Sequence, residues 1–153
     1  MWNGNKSITL SLVVCFTVSI MLVLGVFFLP ILLKMYFGDF EFSYDHRLFF
    51  MYKSVLVCYY VCLLPAFTAL YSLIKMLFSI RREEIFTDAN IKHLRILSWC
   101  CFAVAFVTVI GFIFYRPLVI VSIAAGFIGL IIRVIKNVMY SAKILREEND
   151  LTI

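Results

Sequence analysis

The sequence predicts an all-α integral membrane protein with four transmembrane helices, both termini cytoplasmic, and a tight hairpin between the third and fourth helices. Three observations predict it. The first is composition: 64% of the 153 residues are hydrophobic and 15% are charged. A soluble domain is nearer 45–50% apolar and about 25% charged. A water-soluble fold of this size still leaves roughly a third of its chain surface wet, so the excess apolar surface calls for lipid. The second is the spacing of charges. Residues 7–33, 54–74, 96–115 and 117–132 form uncharged runs of 27, 21, 20 and 16 positions. A crossing helix needs about 20 apolar residues, with a range of about 17–25. The third is the uneven placement of lysine and arginine, taken up below.

The elements follow in order. A first span covers 8–34, with Pro30 near its far end. Its apolar run exceeds the ~7–15 residues of a signal-peptide core, so it is read as a span and not as a cleaved leader. Residues 35–47 place Asp39, Glu41 and Asp45 among five aromatic residues. Such rings favour the headgroup zone, so this loop reads as a cap on the outer interface, with a ligand site as the sharper alternative. A second span covers 52–78 and contains Pro65, which removes a backbone donor and should kink the helix. An elbow, 79–94, leads to a third span, 95–115. The connection "FYRP", Phe114 to Pro117, then turns the chain back at once. Proline suits a first helical position, where its missing N–H would go unpaired. A fourth span, 117–139, is short by charge spacing. It crosses if Arg133 and Lys136 extend their charged ends to the interface along aliphatic stems. The tail is 140–153. The length, near that of one domain, argues for one folding unit with no appended enzyme.

Orientation follows from the basic residues. The N-terminus, elbow and tail share one side and carry Lys6, Lys75, Arg81, Arg82, Lys92, Arg95, Arg133, Lys136, Lys143 and Arg146. The other side carries Lys34, Arg47, Lys53 and Arg116. Ten against four places the termini and elbow in the cytoplasm. The net charge of +5 is thus an asymmetry across a bilayer, and direct binding of nucleic acid is not expected.

Within the spans, Ser122/Gly126 and Ala125/Gly129 form two overlapping small-xxx-small pairs. They leave a flat strip where another backbone can approach. Packing against the third or first helix is one reading of the strip, and a homodimer is the other. Cys15, Cys58, Cys62, Cys100 and Cys101 all lie in apolar runs and read as small apolar fillers. His46 and His93 fall on opposite sides, so no metal or cofactor is expected. No acid or base sits mid-span. That absence argues against a pump, an ion-coupled transporter and an intramembrane hydrolase, which need such groups in lipid.

The elbow carries its own helix start. Thr87 offers an N-cap oxygen, Asp88 puts negative charge in the first turn, and Asn90 takes the third position. Phe86 and Ile91 have the spacing of a hydrophobic staple. In the tail, Val134, Val138 and Leu145 alternate with Arg133, Lys136, Lys143 and Arg146 in an amphipathic sense. Glu147, Glu148, Asn149 and Asp150 then give an acidic end. A docking surface is expected in which Arg81, Arg82, Lys92 and Arg95 face Glu147, Glu148 and Asp150, with a frayed, solvated tail as the plainer alternative.

Phe86-Thr87-x-x-Asn90-Ile91-x-x-Leu94-Arg95, followed by Trp99, and the ending Glu147-Glu148-Asn149-Asp150-Leu151-Thr152-Ile153 resemble a bacterial membrane-protein family catalogued as domain of unknown function 2975. A glycine is expected where Glu83 stands. The resemblance implies a four-helix protein of the bacterial cell membrane without an assigned reaction. Such proteins are often encoded beside a small helix-turn-helix regulator of the Cro/C1 repressor type. The leading expectation is therefore a non-enzymatic regulatory or scaffold protein. It would dock such a regulator through Arg81, Arg82, Phe86, Thr87, Asn90, Ile91, Arg95, Glu147, Glu148, Asn149 and Asp150. The alternatives are an immunity-type protein acting through the outer cap and a small-ligand sensor using a helix cavity.

The ten-to-four asymmetry makes a topology prediction. In intact cells, an impermeant thiol reagent should label Ser43→Cys and spare Ala89→Cys, against the background of the native cysteines. Labelling of Ala89→Cys would reverse the orientation.

Overall fold

The computed structural model describes residues 4–37, 46–82 and 86–150. They form four helices: α1 (Gly4–Phe37), α2 (His46–Arg81), α3 (Asp88–Phe112) and α4 (Leu118–Asp150). All four are long and apolar enough to cross a membrane. At 1.5 Å per residue, 33 to 36 residues give α1, α2 and α4 about 50 Å each. That exceeds a hydrocarbon core of roughly 30 Å. α1, α2 and α4 therefore outrun the uncharged stretches that mark them. Charge spacing finds where a helix can lie in lipid; backbone hydrogen bonding decides where it stops. α1 and α2 continue as helices through Pro30 and Pro65. The outer cap at 38–45, Glu83 and the end 151–153 lie outside the described residues.

Between α3 and α4 the helix does not reach the expected 115. It ends at Phe112, with Ile113 as C-cap. The amides of Phe114 and Tyr115 donate to the Gly111 carbonyl at 3.1 and 3.0 Å. Leu118, Val119 and Ile120 then donate back to Tyr115, Arg116 and Pro117 over i→i+3 spacings. Pro117 stands just before α4, in this turn, because the tightened bonds occupy the position where the sequence places the first helical residue.

Among the described residues the helices pack in chain order: α1 on α2, α2 on α3, α3 on α4. Burial is inverted relative to a soluble fold. Ser72, Asn90, Ser98, Thr108 and Ser122 are buried, whereas Phe27, Leu64, Phe106, Ile120 and Phe127 are well exposed. Lipid exerts no hydrophobic force between helices, so small residues and polar side chains must bring them together.

The α3–α4 seam shows both devices. Ser98 Oγ donates to the Gly129 carbonyl at 2.9 Å, and Ser122 Oγ to the Ala105 carbonyl at 2.9 Å. Ser122, Gly126 and Gly129 of the small-residue strip thus face α3. At Gly129 a Cβ would stand 3.2 Å from Cys101 Cβ, a rigid neighbour. At Gly126 it would meet Ala105 Cβ at 3.9 Å, an ordinary contact.

The other seams use longer reach. Tyr59 Oη donates to the Leu22 carbonyl and Tyr60 Oη to the Val26 carbonyl, each at 3.2 Å. Gly25 lies directly beneath the Tyr59 hydroxyl, where any side chain would collide. Cys58 Sγ lies 3.9 Å from the Val107 carbonyl, linking α2 to α3. All five cysteines are free thiols. Lys53 and Lys75 bracket the uncharged run of α2, their ammonium groups 4.5 and 5.0 Å from the ring centres of Phe49 and Tyr71. Exposed cation–ring contacts of this kind contribute about 0.5–1 kcal/mol.

The two glycines should therefore respond differently. Gly129→Leu forces α3 and α4 apart and should cost about 1–3 kcal/mol, as overpacking does. Gly126→Ala should be neutral or slightly stabilising, since helical glycine is about 0.5–1 kcal/mol worse than alanine. Thermal unfolding in detergent checks both. Equal midpoints for the two variants would remove Gly129 from the seam.

Candidate functional site

The site that the sequence singles out lies where α2 gives way to α3. Thr87 is the N-cap it predicts: φ is −99° and ψ is 151°. Its Oγ1 accepts from the Asn90 amide at 3.4 Å, and its carbonyl from the Ile91 amide at 3.2 Å. The extended conformation at Thr87 turns the chain sharply into α3. Asp88 follows in the first turn, where the helix dipole favours negative charge.

The next turns sort the candidate residues by role. Asn90, Ile91 and Leu94 are buried, with 1%, 6% and 3% of their surfaces exposed. Asn90 and Ile91 thus hold the elbow, and a partner would not reach their side chains. Arg81, Arg82, Lys92 and Arg95 are exposed, as are Glu147, Glu148 and Asn149. Phe86, ahead of the cap, is also exposed. Asp150 is the last residue of α4. The tail is helical to that point.

The structure does bring elbow and tail together, through a pair outside the expected set. Lys143 Nζ lies 2.6 Å from Asp88 Oδ2 and 3.3 Å from Glu147 Oε1. The expectation paired basic elbow residues with an acidic tail. The polarity at this contact is the reverse: an acid at the start of α3 and a base on α4. The reason is geometric. α4 extends past the membrane-length segment, and the seam register brings Lys143 level with Asp88. Glu147, one turn further on, holds the ammonium from the other side. Lys143 keeps only 20% of its side-chain surface, whereas Asp88 keeps 81%. The hydrogen bond that Lys143 donates to Asp88 is the largest effect on its ammonium and raises its pKa above the usual lysine value of 10.5. Both residues are visible in the sequence, as a first-turn acid and a tail base. Only the register of α3 against α4 couples them.

Among the described residues, no group of three or more His, Cys, Asp or Glu side chains is placed to hold a metal ion. The site's chemistry is that of charge and exposed surface at a capped helix start.

Comparison with known proteins comes to the same place. The family described as protein of unknown function DUF2975 matches residues 7–153, essentially the whole chain. The chain belongs to the DUF2975 family. No curated protein and no solved structure matches it. For this DUF2975 member the match runs through both the elbow and the tail.

The Lys143 bridge should hold the first turn of α3. Lys143→Ala should speed amide hydrogen exchange at Asn90 and Ile91 and leave the middle of α3 unchanged. The folded-state pKa is raised, so the bridge is fully present below the ordinary lysine value and is lost as pH rises through the raised one. On the alkaline side the protection that Lys143 gives should accordingly persist until strong alkali, and high salt should weaken it at neutral pH. Unaltered exchange in Lys143→Ala would show that the cap alone orders the turn.

Proposed function

We propose that this DUF2975 member is a multi-pass protein of a bacterial cell membrane, with both termini and the elbow in the cytoplasm and α3–α4 as a tight hairpin. It carries out no reaction of its own. It docks a cytoplasmic partner, a small helix-turn-helix regulator, through the elbow and the C-terminal end of α4.

The observation that supports this reading is the bridge from Asp88 through Lys143 to Glu147. It joins the start of α3 to the projecting end of α4. Around it, Arg81, Arg82, Phe86, Glu148 and Asn149 are exposed. A partner meeting this end finds an ordered surface, so less freedom is lost on binding than at a slack linker. Exposed ion pairs contribute only about 0–1 kcal/mol each, so the charges would orient the partner while Phe86 and its neighbours supply contact area. The ten-to-four division of basic residues supports the cytoplasmic placement.

The test uses a tagged helix-turn-helix regulator from the gene's own neighbourhood, co-expressed with the full-length protein. Wild-type protein should retain the regulator in the membrane fraction. Deletion of 147–153 should release it while membrane insertion stays intact. Phe86→Ala should weaken retention without loosening α3, because Phe86 is exposed and the cap beside it is unchanged. Retention at the wild-type level by both variants would overturn the docking reading.

A further inference from the structure

A second feature lies about two to four turns deeper, on the α3–α4 seam. Arg95, Ser98, Trp99 and Phe102 of α3 and Arg133 and Lys136 of α4 line an open pocket of about 220 Å³. We propose that this pocket is a binding site for the phosphate headgroup of an anionic phospholipid.

Charge is the first argument. Three cationic side chains converge on one small space, and its lining contains no carboxylate. Among the described residues, the ion pairs to Asp88 and Glu147 are made by Lys143 and not by Arg95, Arg133 or Lys136. Ser98 does not supply the donor, since its hydroxyl is committed to the Gly129 carbonyl at 2.9 Å. That bond instead fixes the register. It brings Arg95, three residues before Ser98, level with Arg133, four residues after Gly129. Two guanidinium groups and an ammonium are matched to a phosphate: arginine forks donate in pairs to its oxygens, and lysine adds a point charge.

Depth is the second argument, and it selects lipid over a free anion. Residues 96–115 are uncharged. The 17 of them in α3, 96–112, rise about 25 Å, and the turn at 113–115 carries the chain on towards the far side of a hydrocarbon core of roughly 30 Å. Arg95 therefore stands where acyl chains give way to headgroups. The pocket's other wall is aromatic, and Trp99 is 66% exposed. An indole at this level packs against glycerol and upper chain carbons. A phosphodiester with two acyl chains meets both walls; inorganic phosphate meets only the cations. Basic pockets between helices at a membrane face are suited to anionic headgroups in this way.

The site needs no protein partner and does not depend on the docking reading, so purified protein tests it alone. Protein in mild detergent is mixed with phosphatidylglycerol or phosphatidylcholine, and retained lipid is counted by native mass spectrometry. Wild-type protein should prefer phosphatidylglycerol by about tenfold. Arg133→Gln with Lys136→Gln should abolish the preference. Lys75→Gln with Arg146→Gln removes the same charge outside the pocket and should preserve it. Arg133→Lys with Lys136→Arg, which keeps the charge, should retain most of it. All four proteins are compared at matched unfolding midpoints, so a folding defect is recognised as such. Equal retention of the two lipids by wild-type protein would overturn the proposal. So would equal losses in the two double Gln variants, which would mean a diffuse basic rim. Displacement of phosphatidylglycerol by millimolar inorganic phosphate would also overturn it, in favour of a free-anion site.

Discussion

Ser98 can donate to the Gly129 carbonyl at 2.9 Å because residue 129 has no side chain to hold the backbones apart. In water such a hydrogen bond would be a small addition to hydrophobic burial. In lipid the burial contribution between helices vanishes, and close packing with a few polar contacts must do its work. The Ser122–Ala105 bond adds a second point seven residues along each helix, on the same seam. Two points fix both the rotation and the axial position of α4 against α3. Everything placed at the elbow end inherits that setting. Asp88 meets Lys143, and Arg95 comes level with Arg133, because Ser98 faces Gly129 and not a residue one turn away.

The remaining seams depend less on backbone proximity. α1 is tied to α2 by two tyrosine hydroxyls reaching carbonyls at 3.2 Å, and Gly25 makes room beneath one of them. Interhelical hydrogen bonds in membranes contribute about 0.6 kcal/mol on average, with a maximum near 1.7. They position a helix more than they hold it. The order of the row, α1–α2–α3–α4, follows from the chain itself. Neighbours in sequence meet first, since closing a short connection costs little conformational entropy.

The fold was legible because lipid imposes a coarse rule on sequence. Charges cannot lie in the hydrocarbon, so their spacing marks the spans whatever the packing inside. Thr87 was legible for a local reason: a cap is written within four residues, and Asn90 completes it. The small strip on α4 showed that something must come close there, but not which helix, because the period of small residues describes one surface only. Gly25 and Tyr59 were not singled out, since their contact joins residues 34 positions apart and neither carries a local signal. Lys143 and Asp88 failed for another reason. The sequence suggested attraction between basic elbow and acidic tail from net charge, whereas a pair at 2.6 Å depends on register. Net charge sets long-range attraction; register chooses the contact.

The length of α4 gives that register its reach. A helix that only crossed the bilayer would end near Tyr140. α4 continues to Asp150, with Lys143 and Glu147 one turn apart on one face. A projecting helix end has few neighbours and ordinarily frays. Here the projection is tethered twice, by the continuous backbone below it and by the Asp88 carboxylate beside it. The same carboxylate lies in the first turn of α3, where the helix dipole favours negative charge. A single exposed acid thus ties the beginning of one helix to the end of another. Loosening either end would loosen the other, so the start of α3 and the end of α4 are held as one unit.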